Sequence, residues 1–187
     1  MHYVDPIKDI ESINAIKDIL RKQSQRDLLL FVFGINTGIR VSDLLSLKVD
    51  NIWDGTGVKE FLYLNDMSGD EKRGYYLNHR VQFELKNYLN VINLKKDDYL
   101  FKSRKNDQPI TRQQAYRIIN KVAKEVGIPG NVGMHTLRKT FGYHAYRKGI
   151  AISILMEIYN HHSPSETLRY IGIDKSEKRL IKVDVNL

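Results

Sequence analysis

The chain contains no cysteine, which excludes disulfides, thiolate metal sites and cysteine nucleophiles. Proline is scarce, with four in 187 residues, and no tract rich in Gly, Pro or Ser divides the chain. No internal repeat or low-complexity segment is present. The longest apolar run, Leu28 to Phe33, falls far short of the roughly 18 residues needed to span a bilayer. The opening residues, Met1-His2-Tyr3-Val4-Asp5-Pro6, lack the basic-then-apolar order of a secretory signal. These absences lead to the expectation of a cytoplasmic protein. Its length suits one domain with a substantial core.

Acidic residues are deficient in one half only. Residues 1–100 carry 14 Lys+Arg against 15 Asp+Glu, whereas residues 101–187 carry 16 against 7. The net charge of +8 therefore belongs to the second half. A field that one-sided favours a polyanionic partner, nucleic acid above all. An anionic membrane surface would call for a separate basic amphipathic helix, and none stands apart from the globular pattern.

Periodicity predicts a mostly helical domain with a small antiparallel sheet (α+β). Asp5-Pro6 reads as an N-cap followed by proline at the first helical position. Ile7, Ile10, Ile13, Ile16 and Ile19-Leu20 then recur at helical spacing. A second apolar helix, from Leu28 to Ile35, ends at Thr37-Gly38, and a short one follows with Val41, Leu44, Leu45 and Leu47 buried. Val49 to Trp53, Phe61 to Leu64 and Tyr75 to Leu77 are short and β-prone, which predicts three strands. Helix resumes from Val81 through Ile92. Thr111-Arg112-Gln113-Gln114 is a capping box for a helix running to Gly127, and two more helices are predicted over Thr136–Lys148 and Ala151–Tyr159. Ser163-Pro164-Ser165-Glu166 combines a capping box with proline at the first helical position, and Tyr170 follows two turns along.

Three segments carry residues with chemical potential. In Thr37-Gly38-Ile39-Arg40-Val41-Ser42-Asp43-Leu44-Leu45, a carboxylate one turn after Arg40 can hold the guanidinium aimed at a phosphate. The plainer account is a surface pair worth a few tenths of a kcal/mol. In His135-Thr136-Leu137-Arg138 an imidazole and a guanidinium share one side of a turn, as ordinary solvent-facing residues of a helix terminus also can. Asn160-His161-His162-Ser163 leads into the helix bearing Tyr170 and places a histidine near unpaired backbone N–H groups, a natural anion site. With 11 tyrosines in the chain, packing is the default role for any one of them.

Taken in order, the T-G-x-R-x-x-D-L-L segment, the H-x-L-R segment, and a histidine nine residues before the tyrosine of Thr167-Leu168-Arg169-Tyr170-Ile171 resemble the tyrosine recombinase (phage integrase) family. The resemblance runs from about Asp5 to Ile173. It implies the fold of that family's catalytic domain over residues 1–173, with residues 174–187 a tail that docks on a neighbouring protomer or packs in cis. No N-terminal core-binding domain is expected in this chain. It also implies that Arg40 and Arg138 bind the non-bridging oxygens of a scissile phosphate, that His161 donates to the same phosphate and that His135 helps manage protons. Asp43 would support Arg40, and Tyr170 would be the nucleophile, forming a transient phosphotyrosine at a DNA 3′ end. Two guanidiniums and an imidazole can stabilise the transition state without metal or cofactor, and a covalent intermediate stores the bond energy for rejoining. The implied partner is duplex DNA, bound as a homo-tetramer that associates weakly off DNA, with a place for an accessory DNA-bending protein.

One element departs from the family pattern. A lysine in a β-hairpin turn ordinarily protonates the leaving 5′ oxygen, but Met67 falls at that place. Lys72, on the returning side of the turn, is the nearest substitute. The departure motivates a second reading, a DNA-binding module of the same fold with weak cleavage or none. A third, a metal-dependent nickase or hydrolase using His135, His144, His161 and His162, lacks both the His-x-His spacing and an H-E-x-x-H pattern.

Overall fold

The computed structural model describes residues 4–65 and 72–173. Helix α1 (Ile10–Gln23) turns at Ser24 into α2 (Gln25–Thr37), followed by the short α3 (Val41–Leu45) and α4 (Val49–Ile52). Strands β1 (Phe61–Asn65) and β2 (Lys72–Tyr76) form an antiparallel pair with Phe61 opposite Tyr76 and Asn65 opposite Lys72. Then come α5 (His79–Val91), α6 (Arg112–Val126), α7 (Met134–Arg147), α8 (Ile152–Tyr159) and α9 (Pro164–Tyr170). Among the described residues, no helix is long and apolar enough to cross a membrane.

Helix α2 is the axis of the fold. Its six consecutive residues from Leu28 to Phe33 are fully buried, so it is apolar on every side and must be enclosed. Helices α1, α5 and α7 pack around it. Gly38 ends it with φ 67°, a left-handed conformation that glycine adopts without a steric penalty. Any Cβ there would also lie 2.5 Å from a ring carbon of Phe141 in α7.

A smaller apolar cluster sits beyond α7, where Leu155, Tyr159 and Ile171 are buried against Phe141, Ile158 and Tyr170. Gly142 makes this packing possible. A Cβ at that position would collide with the Tyr159 hydroxyl and lie 2.5 Å from Ile171 Cγ2. Gly142→Ala gains about 1 kcal/mol of helix propensity, but the overpacking opposes it by about 1–3 kcal/mol or more. Because both obstructing groups belong to a closely packed corner, a net loss is expected, lowering Tm by about 2–8 °C. Thermal unfolding measures this directly, and an unchanged or raised Tm would mean that the corner yields freely.

Two local expectations are corrected. Helix α1 begins at Ile10 rather than Pro6, with Asp9 as its N-cap accepting from the Glu11 and Ser12 amides. The preceding backbone is occupied by α7: the Ile7 amide donates to Thr140 Oγ1 at 2.9 Å, and His144 Nε2 lies 2.9 Å from the Ile7 carbonyl. Val49–Ile52 is helical, so the sheet has two strands among the described residues, not three. The Asn51 side chain accepts from the Lys48 amide, and the Val49 and Asp50 amides donate to the Asp98 and Lys96 carbonyls. These caps override the β-prone composition. The β-prone tail segment from Leu180 to Val185 lies outside the described residues.

Candidate active site

Arg40 occupies the N-cap of α3 in extended conformation, just after the glycine that closes α2. Its Nε donates to Asp43 Oδ2 at 2.8 Å. Both side chains keep partial exposure, at 31% and 26%, so the pair adds little stability. It does fix one edge of the guanidinium and leaves the other N–H groups available to an anion.

Helix α7 starts two residues earlier than its sequence suggested, which places His135 in its first turn and Arg138 one turn on. Arg138 is held from three directions. Its Nε donates to the Gly38 carbonyl at 2.7 Å, its Nη2 donates to the Ile158 carbonyl at 3.0 Å, and its guanidinium carbon lies 4.8 Å from the centroid of the Tyr159 ring. Tyr159 in turn donates its hydroxyl to the Arg138 carbonyl at 2.8 Å. Local desolvation, then the charges of Arg138, Lys139 and Arg112, lower the pKa of His135. Its imidazole is therefore neutral at pH 7 and can accept a proton.

The α8–α9 corner delivers the remaining groups. Asn160 ends α8 in the left-handed region with φ 58°, and the His161 amide returns to the Met156 carbonyl at 2.9 Å. Ser163 caps α9 by accepting from the Glu166 amide at 3.2 Å, while the Glu166 carboxylate accepts from the His162 amide at 3.1 Å. The His161 ring stands edge-on to Tyr170 at 5.2 Å, and Tyr159 packs against both rings. Burial pushes the Tyr170 hydroxyl up from its ordinary pKa, opposed by the Arg138 charge and a hydrogen bond from that guanidinium. Tyr170 is thus a phenol at neutral pH, within the field of the cation that would steady its charge.

Arg138, His161 and Tyr170 converge on the Tyr159 ring. His135 joins this group electrostatically, and the Arg40–Asp43 pair is tied to it through the Gly38 carbonyl. Lys72 opens β2 with an exposed side chain, and among the described residues that side chain makes no hydrogen bond or ion pair with these groups. Met67 lies outside the described residues.

The phage integrase family model matches residues 7–177, nearly the whole chain. The chain belongs to the phage integrase family. It is 41% identical over 179 residues to the probable integrase/recombinase YoeC of Bacillus subtilis, covering 96% of this chain and 95% of YoeC. It spans a little over half the length of the Xer recombinases among its curated relatives. The crystal structure of XerA recombinase superposes with a TM-score of 0.76 at 22% identity, over 94% of this chain and 61% of that one. The Tn1549 transposon integrase in complex with circular intermediate DNA gives 0.67 at 18% identity, over 88% and 60%. The fold is that of a tyrosine recombinase catalytic domain.

Four residues of the candidate site were not singled out in the sequence. Arg73 of β2 donates to the Ile158 carbonyl at 3.3 Å, the same oxygen that Arg138 engages. Lys139 is buried, donates to the Val4 carbonyl at 2.8 Å and places its ammonium 5.1 Å from the Tyr170 ring centroid. Tyr159 braces Arg138, and Thr167 meets His161 Nδ1 at 3.0 Å. Only Thr167 left a readable sign, since its spacing of three from Tyr170 puts both on one face of α9.

Proposed function

We propose that this integrase cleaves and rejoins duplex DNA, with Tyr170 as the nucleophile. The observation that carries the reading is the convergence of Tyr170, Arg138 and His161 around the Tyr159 ring. The phenol oxygen attacks the scissile phosphorus and its proton passes to a base, for which neutral His135 is the candidate. The bond from phosphorus to the 5′ oxygen breaks, leaving a 3′-phosphotyrosine and a 5′ hydroxyl once that oxygen takes a proton. Arg40 and Arg138 neutralise the non-bridging oxygens as charge builds on them, and His161 donates to the same group. Attack by a 5′ hydroxyl reverses these steps, so rejoining needs neither ATP nor metal. Lys72 is proposed as the acid that protonates the leaving oxygen, brought in from the hairpin edge. The Tn1549 integrase complex contains DNA, and the +9 balance of residues 101–187 suits phosphate binding with strong salt dependence. Four protomers are proposed to act together on DNA and to associate weakly without it, with an accessory DNA-bending protein able to assist.

The exposed position of Lys72, without a contact to the other groups among the described residues, favours one second reading: the same fold binding DNA with weak cleavage. Covalent trapping decides between them. A labelled nicked duplex pool mixed with the protein in EDTA and run on a denaturing gel is expected to give a protein–DNA adduct. A native-gel shift with no adduct would support the binding module, with Met67→Lys as the next variant. An adduct formed only with added divalent metal would replace both with the metal-dependent reading.

A further inference from the structure

We infer that Thr167 is a positioning residue whose buried hydroxyl selects the tautomer of His161 in which Nε2 carries the proton, so that the uncharged ring donates to the phosphate. The inference rests on the phosphate site proposed above. Thr167 is completely buried in α9, and its Oγ1 lies 3.0 Å from His161 Nδ1. A single hydrogen bridges those two atoms, and its owner decides which way the ring faces chemically.

The surroundings assign that hydrogen to threonine. The other acceptor near the hydroxyl is the Ser163 carbonyl at 3.4 Å. That contact is longer than an ordinary O–H···O bond, whereas His161 Nδ1 at 3.0 Å lies within normal range, so the ring nitrogen is the better-placed acceptor for the hydroxyl. At the far side of the ring, Nε2 lies 4.0 Å from Glu166 Oε1. A carboxylate there favours a proton on Nε2 over a lone pair. Both ends of the ring thus prefer the same tautomer.

The tautomer matters because the ring is neutral at working pH. The charged and titratable groups facing it are Glu166 and Tyr170 from α9, Arg138 from α7, Tyr159 from α8 and the adjacent His162. Burial first, then Arg138 and His162, push the His161 pKa below its ordinary value, with Glu166 opposing. A neutral imidazole has one N–H. In the wrong tautomer it would turn a lone pair toward a phosphate oxygen, replacing a donated bond with repulsion. Protonation removes the distinction, because both nitrogens then donate.

This gives Thr167→Val, which keeps the shape and loses the hydroxyl, a signature that a packing role would not produce. At pH 8 its cleavage of a nicked duplex is expected to fall about 10- to 100-fold. Below the His161 pKa the variant should recover to within about threefold of wild type, since the charged ring donates whichever nitrogen faces the phosphate. Thr167→Ser should restore the wild-type profile. A Thr167→Val variant as active as wild type at pH 8, or one whose loss persists below the titration point of His161 read from its own NMR spectra, would overturn the inference. Long-range 1H–15N spectra of the DNA-free wild-type protein test it without any activity. A protonated Nε2 and bare Nδ1 on His161 are expected, and the reverse pattern would overturn it. If wild type forms no adduct at all, the proposed cleavage fails, while the spectrum still decides what Thr167 does to the ring.

Discussion

Tyr170→Phe is expected to remove covalent attachment to DNA completely while leaving DNA affinity within about threefold of wild type. The substitution deletes one oxygen. The ring stays packed against Tyr159 at 4.9 Å and His161 at 5.2 Å, with the Lys139 ammonium 5.1 Å from its centroid, so α9 has no reason to move. What is lost is the electrostatic support that Arg138 gives the hydroxyl, and its removal should change stability by only about 1 kcal/mol. Affinity comes mainly from cations meeting phosphates, and none is altered. The geometry also says why a neighbour cannot take over. Tyr159, the other tyrosine at the site, is 6% exposed, donates its hydroxyl to the Arg138 carbonyl and has its pKa driven strongly upward by burial. Trapping on a denaturing gel, paired with a mobility shift on the same duplex, checks both halves of the expectation. An adduct formed by the variant would assign the nucleophile to a different residue.

Much of this architecture was legible in local signals, for reasons that particular residues make clear. Thr111 and Gly127 bound α6, and Ser163-Pro164 opens α9, where the sequence placed them, because capping depends on residues within one turn. The start of α1 and the identity of Val49–Ile52 were misread because their decisive partners are distant. Thr140 and His144 occupy the Ile7 backbone, and Lys96 and Asp98 occupy the amides that open α4. The same division runs through the site. Arg40, Asp43, His135, Arg138, His161 and Tyr170 carry reactive groups at recognisable spacing, and they stood out. Lys139 and Tyr159 act by being buried between helices distant in sequence, which leaves no periodic trace, whereas Thr167 shares a face of α9 with Tyr170 and left only that spacing as a sign.

Arg138→Ala should reduce cleavage by at least about a thousandfold, and it should also weaken the fold, because this side chain serves two purposes at once. On the catalytic side its proposed role is to meet a phosphate as it gains charge, and its own charge already acts on the Tyr170 hydroxyl. Loss of one such donor typically costs about 100- to 1000-fold, and alanine removes several together with the charge. On the structural side, truncation strips the Gly38 and Ile158 carbonyls of the donors at 2.7 and 3.0 Å and removes the cation from the Tyr159 face. Bonds from charged donors are worth about 1.5–3 kcal/mol each, although Arg73 also reaches the Ile158 oxygen and softens that part of the loss. Arg138→Lys separates the two purposes. It keeps a charge near the phosphate but cannot span two carbonyls and an anion with one ammonium, so its cleavage should fall between those of wild type and alanine. Adduct yield, read beside Tm for each variant, distinguishes the cases. If a well-folded Arg138→Ala protein cleaves at a near-normal rate, Arg138 is a structural clamp between α2, α7 and α8, and the phosphate must be held by other residues.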